Sequence, residues 1–82
     1  HKQILFDATI EIKGIDRKGM LLDVSKVISD QLGINIHKIT ISSDNGIFDG
    51  TIELRVHDRE EVKTIMNQLR NIDDLQEVQR IL

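Results

Sequence analysis

Gly14–Val24 reads GIDRKGMLLDV, and the fold turns on how it is parsed. Upstream, from Phe6 to Lys13, apolar and polar residues alternate. Phe6, Ala8, Ile10 and Ile12 share one face, and Asp7, Thr9, Glu11 and Lys13 share the other, as in a half-buried strand. Downstream the period changes to that of a helix. Met20, Leu21, Val24, Val27, Ile28, Gln31 and Leu32 fall on one side, and the apolar members span an arc of about 140°. Asp23, Lys26 and Asp30 lie opposite, and Leu22 stands off the stripe as a candidate contact for another subunit. Asp16 is positioned to cap this helix with its carboxylate, and Gly33 to end it as a C′ glycine. A strand that feeds a helix through a short Gly-bounded turn points first-turn N–H groups at whatever lies in front of it.

Working outward, a second strand covers Ile34–Ser42, but its alternation breaks midway. Ile34 and Ile36 are even-numbered, whereas Ile39 and Ile41 are odd. One extra residue near His37-Lys38 restores register, which predicts a β-bulge there. Asp44-Asn45-Gly46 follows, and Asn-Gly between alternating runs is a strong hairpin signal. In the third strand Phe48, Gly50, Ile52, Leu54 and Val56 face inward, with Asp49, Thr51, Glu53 and Arg55 outward. Asp58 and Glu61 form an Asp-x-x-Glu variant of the capping box. Val62, Ile65, Met66 and Leu69 mark a second amphipathic helix that ends near Asn71. Asp73-Asp74 turn the chain into a last short strand that carries Val78 and runs to Ile81 or Leu82.

The order is β-α-β-β-α-β. Both apolar helix stripes must cover the same apolar sheet face, so the expected architecture is α+β and ferredoxin-like. It has a four-stranded antiparallel sheet, two helices on one face and a polar opposite face.

Eighty-two residues make one domain, 1–82. A domain this small buries only about 60% of its unfolded surface, so help from a partner chain is expected. The chain opens at His1-Lys2 without methionine and reads as a fragment of a longer protein, residues 1–2 being tag or linker. There is no cysteine, hence no disulfide framework, thiolate site or cysteine nucleophile. That composition fits the cytoplasm. No apolar run is long enough to span a membrane. A formal charge of −3 gives no overall attraction to nucleic acid. Fourteen isoleucines against two phenylalanines favour sheet and leave no platform for base stacking.

Catalysis finds no footing in these residues. His1, His37 and His57 sit in separate elements without ligand spacing, so no metal site is expected. No serine lies in a nucleophile elbow, and no cofactor motif is present. Acylphosphatases share the fold class, but their arginine-bearing phosphate loop is missing. Small-ligand binding fits better. Amides near Lys18 to Leu21 can take a carboxylate. Asp16 or the Asn35 amide can take an amine, and Met20, Ile34 and Ile36 can touch an apolar side chain. For this the loop Asp16–Gly19 and the strand start Gly33–Ile36 are expected to come close together. Each piece also has a plain structural reading, Asp16 as a cap, Gly19 as a tight turn and Asn35 as a strand-edge residue.

The run IEIKGIDRKGMLLDVSKVISDQLGINIHKI, with DGTIELRV and EVQRI downstream, resembles an ACT domain. It is most similar to the C-terminal ACT domain of RelA/SpoT-type (p)ppGpp synthetase/hydrolases. Its most specific parts are D-R-x-G-x-L-x-D-[VI] at Asp16–Val24, G-[IV]-N-I at Gly33–Ile36 and G-T-I-E-L-x-V at Gly50–Val56. The resemblance implies a regulatory module, not an enzyme in itself, that pairs side by side with a second ACT domain as a homodimer. It implies a small amino-acid ligand at the interface, held between the first loop of one copy and a strand or loop of its neighbour. Carried over, the site is Asp16, Arg17, Lys18, Gly19, Met20 and Leu21 with Asn35 and Ile36. Catalysis would belong to upstream domains, and the ribosome or tRNA would be met only through the parent protein. Amino-acid-binding members often place proline before the loop glycine, and Lys18 stands there instead. The alternative is a ligand-free docking module that contacts its own chain or ribosomal RNA.

Overall fold

The computed structural model describes residues 5–31 and 35–81. Its elements are β1 (Phe6–Ile15), α1 (Met20–Lys26), β2 (Asn35–Asp44), β3 (Ile47–Val56), α2 (Arg59–Arg70) and β4 (Leu75–Arg80). The strands form one antiparallel sheet in the order β2-β3-β1-β4. This is the expected ferredoxin-like arrangement, with β2 and β4 at the edges.

The inward face reads as the alternation requires. Ala8, Ile10 and Ile12 of β1 and Phe48, Ile52, Leu54 and Val56 of β3 are buried against Met20, Val24, Ile28, Val62, Ile65 and Leu69 from the helices. Burying residues of this kind is worth roughly 1.5–3 kcal/mol each, and this burial holds the helices on the sheet. Phe6 departs from expectation. It lies on the helix side of the sheet, paired with Val56, yet is 54% exposed. Alternation fixes the face of a residue, and Phe6 stands at the end of the strand where helix cover is thin.

α1 also differs. Regular α-helix ends at Lys26, and a π-helical turn spans Val27–Gln31. Val27 and Ile28 are both buried there, and the wider turn lets adjacent residues share the core side. Leu21, assigned to the apolar stripe, is 46% exposed at the edge of the arc. Leu22 is exposed, as its off-stripe position predicts. Gly33, expected to stop the helix, lies outside the described residues with Leu32 and Ile34, as do His1 and Leu82.

The bulge falls where the pattern breaks. Ile36 pairs with Leu54 and Lys38 with the adjacent Glu53, leaving His37 as the extra residue. Ile39 then meets Ile52 and Ile41 meets Gly50. The β2–β3 turn is tight, with Asn45 and Gly46 at φ 52° and 78°, as a two-residue type I′ hairpin requires. Asp58 caps α2 by accepting from the Glu61 amide at 3.0 Å. The Glu61 carboxylate reaches back to the His57 amide, one residue before the cap. The open sheet face is largely polar, but Ile15 and Ile47 pair directly on it and are exposed.

Candidate functional site

β1 ends in a loop that is tied on both sides. The Ile15 amide donates to the Asp74 carbonyl at 2.8 Å, and the Asp16 amide donates to the Gly46 carbonyl at 2.9 Å. The strand end is thus held between the α2–β4 turn and the β2–β3 hairpin. Gly19 follows at φ 86°, a conformation that suits glycine. It is itself the cap residue of α1, and among the described residues no side chain caps the helix. The expectation that Asp16 caps α1 is therefore corrected. Its carboxylate instead accepts the Ser43 hydroxyl, 27 residues away on β2. The first i→i−4 bond runs from the Asp23 amide to the Gly19 carbonyl at 2.9 Å, while the Met20 amide meets the Arg17 carbonyl at 3.2 Å. The amides of Leu21 and Leu22 lie ahead of the helical ladder.

An open cleft of about 600 Å³ lies between this loop, α1 and edge strand β2. Asp16, Arg17, Gly19, Met20 and Leu21 line it, joined by Leu22, Ser25, Ile41, Ser43 and Phe48. One wall is polar, from Asp16 and Ser43. The floor is apolar, from Ile41 and Phe48. Lys18 is exposed and does not line the cleft.

Arg17 is mostly occupied elsewhere. Its Nη2 donates to Asp23 Oδ2 at 2.8 Å and to the Asp73 carbonyl at 2.9 Å. Its Nε, shielded from solvent, faces Asp74 Oδ2 at 3.0 Å in an ion pair. The hydrogen bond to Asp23 raises the guanidinium pKa above its ordinary value. Desolvation opposes the rise, and attraction to Asp23 and Asp74 adds to it.

The strand start is not near the loop within one chain. Asn35 pairs with Arg55, which also pairs with Asp7, whereas Ile15 and Asp44 both pair with Ile47. β1 and β2 therefore run parallel on either side of β3, and Asn35 is level with Asp7. Eight residues of strand separate it from Ile15, about 26 Å. The expected closeness of Asp16–Gly19 to the strand start is corrected accordingly for Asn35 and Ile36, while Gly33 and Ile34 of the same expectation lie outside the described residues. Ile36 is half-buried and packs against the core. The side chain of Asn35 lies outside what the structure describes.

Ser25, Ile41, Ser43 and Phe48 are cleft residues outside the expected set, and Leu22, expected as a contact for another subunit, also lines the cleft. Ser43 was reachable. Once Asn45-Gly46 is a two-residue turn, Ser43 is fixed opposite Phe48, at the same end of the sheet as Asp16. Among the described residues no cluster of His, Asp or Glu could hold a metal ion, and no helix is long and apolar enough to cross a membrane.

A ferredoxin-like sheet with a cleft between its first loop and an edge strand defines a small domain class, and the comparisons with known proteins narrow it. The sequence pattern of the ACT domain matches residues 2–80. The crystal structure of the ACT domain from GTP pyrophosphokinase of Chlorobium tepidum superposes with a TM-score of 0.87 at 31% identity. That match covers 95% of this chain and 100% of the other. A guanosine-3′,5′-bis(diphosphate) 3′-pyrophosphohydrolase of Spiroplasma citri is 28% identical over 79 residues, 94% of this chain and 10% of that protein. The chain thus spans about a tenth of the length of that curated relative. The small subunit of acetolactate synthase from Thermotoga maritima shares the fold, with a TM-score of 0.78 at 18% identity over 92% of this chain and 47% of that one. This chain belongs to the ACT domain family.

Proposed function

We propose that this ACT domain is the regulatory module of a cytoplasmic (p)ppGpp synthetase/hydrolase, that it pairs with a second copy, and that it senses a small amino acid at the seam. The observation that carries this reading is the cleft, polar on the Asp16–Ser43 wall and apolar on the Ile41–Phe48 floor. A carboxylate already bonded to one hydroxyl retains lone pairs for an ammonium group. The first-turn amides of Leu21 and Leu22 suit a carboxylate, and the floor suits an aliphatic side chain.

Pairing supports the same site. β2 is an edge strand, and its run Ile39–Ser43 carries no charge, the condition under which an edge invites another strand. The opposite edge, β4, is guarded by Glu77 and Arg80. A two-fold axis through the middle of β2 sets two such strands antiparallel. The start of one then meets the end of the other, so that the partner copy's Asn35 and Ile36 arrive beside Asp16 and Ser43. The exposed Leu21 and Leu22 stand on the cleft wall next to that edge.

The docking alternative draws on exposed Leu22. Its RNA version has less support, because Arg17 of the basic loop is engaged by Asp23 and Asp74. Ribosome or tRNA contact would then come through the parent protein, whose catalytic domains lie elsewhere.

Calorimetric titration with valine, isoleucine, leucine and serine tests the reading. Saturable heat with at least one, weakened by Asn35→Ala, is expected. Absence of heat with all four at millimolar concentration defeats the sensing part. A monomer by analytical ultracentrifugation defeats the pairing part.

A further inference from the structure

Asp16 and Arg17 are adjacent, yet their side chains serve different parts of the molecule. Asp16 turns to Ser43 on the cleft wall. Arg17 turns to the α2–β4 turn, meeting the Asp73 carbonyl and the Asp74 carboxylate, and also holds Asp23 in the first turn of α1. The backbone repeats the link one residue earlier, through the Ile15 amide and the Asp74 carbonyl. Asp74 itself stands at φ 71°, a left-handed conformation that aspartate adopts more readily than most non-glycine residues but that its surroundings must still hold. Three contacts from Ile15 and Arg17 supply that hold.

We propose that Arg17 is a tether that couples the cleft loop Asp16–Gly19 to the α2–β4 turn, Asn71–Asp74, making that turn the element through which an occupied cleft is read out. This rests on the amino-acid-sensing reading of the same cleft. A ligand that draws Asp16 toward it, or that settles the first turn of α1 around Asp23, changes the geometry Arg17 can offer Asp73 and Asp74. Transmission requires that the turn hold two arrangements that the cleft can bias, and Asp74, whose φ of 71° these contacts keep, is the residue on which they would differ. Coupling is reciprocal, so a change at Asp74 must also be felt at the loop. A mere stabilising clamp would lower overall stability when cut, without making the two loops answer one another.

Amide hydrogen exchange read residue by residue separates these cases. Asp74→Asn keeps a side chain that tolerates positive φ and removes the charge. Asp74→Gly removes the side chain and relieves the conformation. Both are expected to raise exchange at Gly19–Asp23 by roughly fivefold or more, and Arg17→Gln to raise it at Ile72–Leu75 by a similar factor. With saturating valine the unsubstituted chain is expected to slow exchange at Ile72–Leu75. In Asp74→Gly valine still binds by calorimetry, but that response is lost. The proposal is overturned if either substitution leaves the opposite loop unchanged, or if valine slows the turn equally in Asp74→Gly. If no amino acid binds, the sensing reading falls, and the ligand-free reciprocity alone decides the tether.

Discussion

Gly14 lies directly beneath Asp74. A Cβ added to Gly14 would press into the Asp74 carbonyl oxygen and stand 2.9 Å from the Leu75 Cα. Both obstacles are backbone, so they cannot swing aside as side-chain ends do. Gly14→Ala is therefore expected to push the α2–β4 turn off the sheet and destabilise the domain by about 1–3 kcal/mol or more. The midpoint of urea unfolding measures it, and an unchanged midpoint would show that the turn yields freely.

Gly50 poses a softer case. A Cβ there would meet Ile41 Cδ1 at 2.9 Å and Ile12 Cγ1 at 3.1 Å, both side-chain atoms. Gly50→Ala should cost less than Gly14→Ala. Because Ile41 floors the cleft, it should also narrow the space for a ligand side chain. The expected signature is a mild loss of stability with weaker binding of leucine than of serine relative to the unsubstituted chain. Comparative calorimetry checks this.

His37 is the surplus residue of the bulge, and its removal leaves every flanking pair with its partner. Deletion of His37 is expected to keep the fold, with a stability change within about 1 kcal/mol. Deletion of Thr40 instead turns one side of β2 inside out and should unfold the edge strand. Thermal melts by circular dichroism on the two deletions give the contrast, and equal damage from both would refute the assigned register.

Asp58→Ala removes the acceptor of the Glu61 amide and should cost about 0.5–2 kcal/mol. The loss belongs to α2, so amide exchange should rise first at Arg59–Val62. A uniform rise through the sheet would mean that the cap is incidental.

Arg17 has a folded-state pKa above its ordinary value. Its contribution is complete below that ordinary value and is lost only as pH rises through the folded value. The stability difference between Arg17→Gln and the unsubstituted chain should thus stay flat from about pH 6 to 9. Added salt should shrink it, since the ion pairs are partly exposed. A step within that pH range would point to another titrating group.

Much of the fold is legible because its signals are local. The shift from even to odd isoleucines between Ile36 and Ile39 marks the bulge, since one residue added to a strand inverts every later side chain. Asn45-Gly46 states its own turn type. Asp58 and Glu61 declare their cap by spacing. The site is less legible because its partners are distant in sequence. Nothing within α1 says that Asp16 bonds Ser43 and leaves the capping position to Gly19. Arg17 meets Asp73 and Asp74, 56 and 57 residues away, and only the closed sheet brings them together. The misplacement of Asn35 has a different cause. A helix that leaves the end of β1 carries the chain back to the beginning of the sheet, so β2 must start at the opposite end from the loop. Phe6 and Leu21 show a further limit, for periodicity assigns a face but not how far the covering layer extends.

The most direct test is a crystal structure of the chain grown with, or soaked in, a mixture of valine, isoleucine, leucine and serine. The account predicts two copies joined along antiparallel β2 edges, with one amino acid per cleft. Its ammonium should lie by Asp16, its carboxylate by the first-turn amides of α1, and the other copy's Asn35 within hydrogen-bond reach. Copies that meet elsewhere, with the cleft closed by Leu21 and Ser43 and no amino acid in it, would contradict the account.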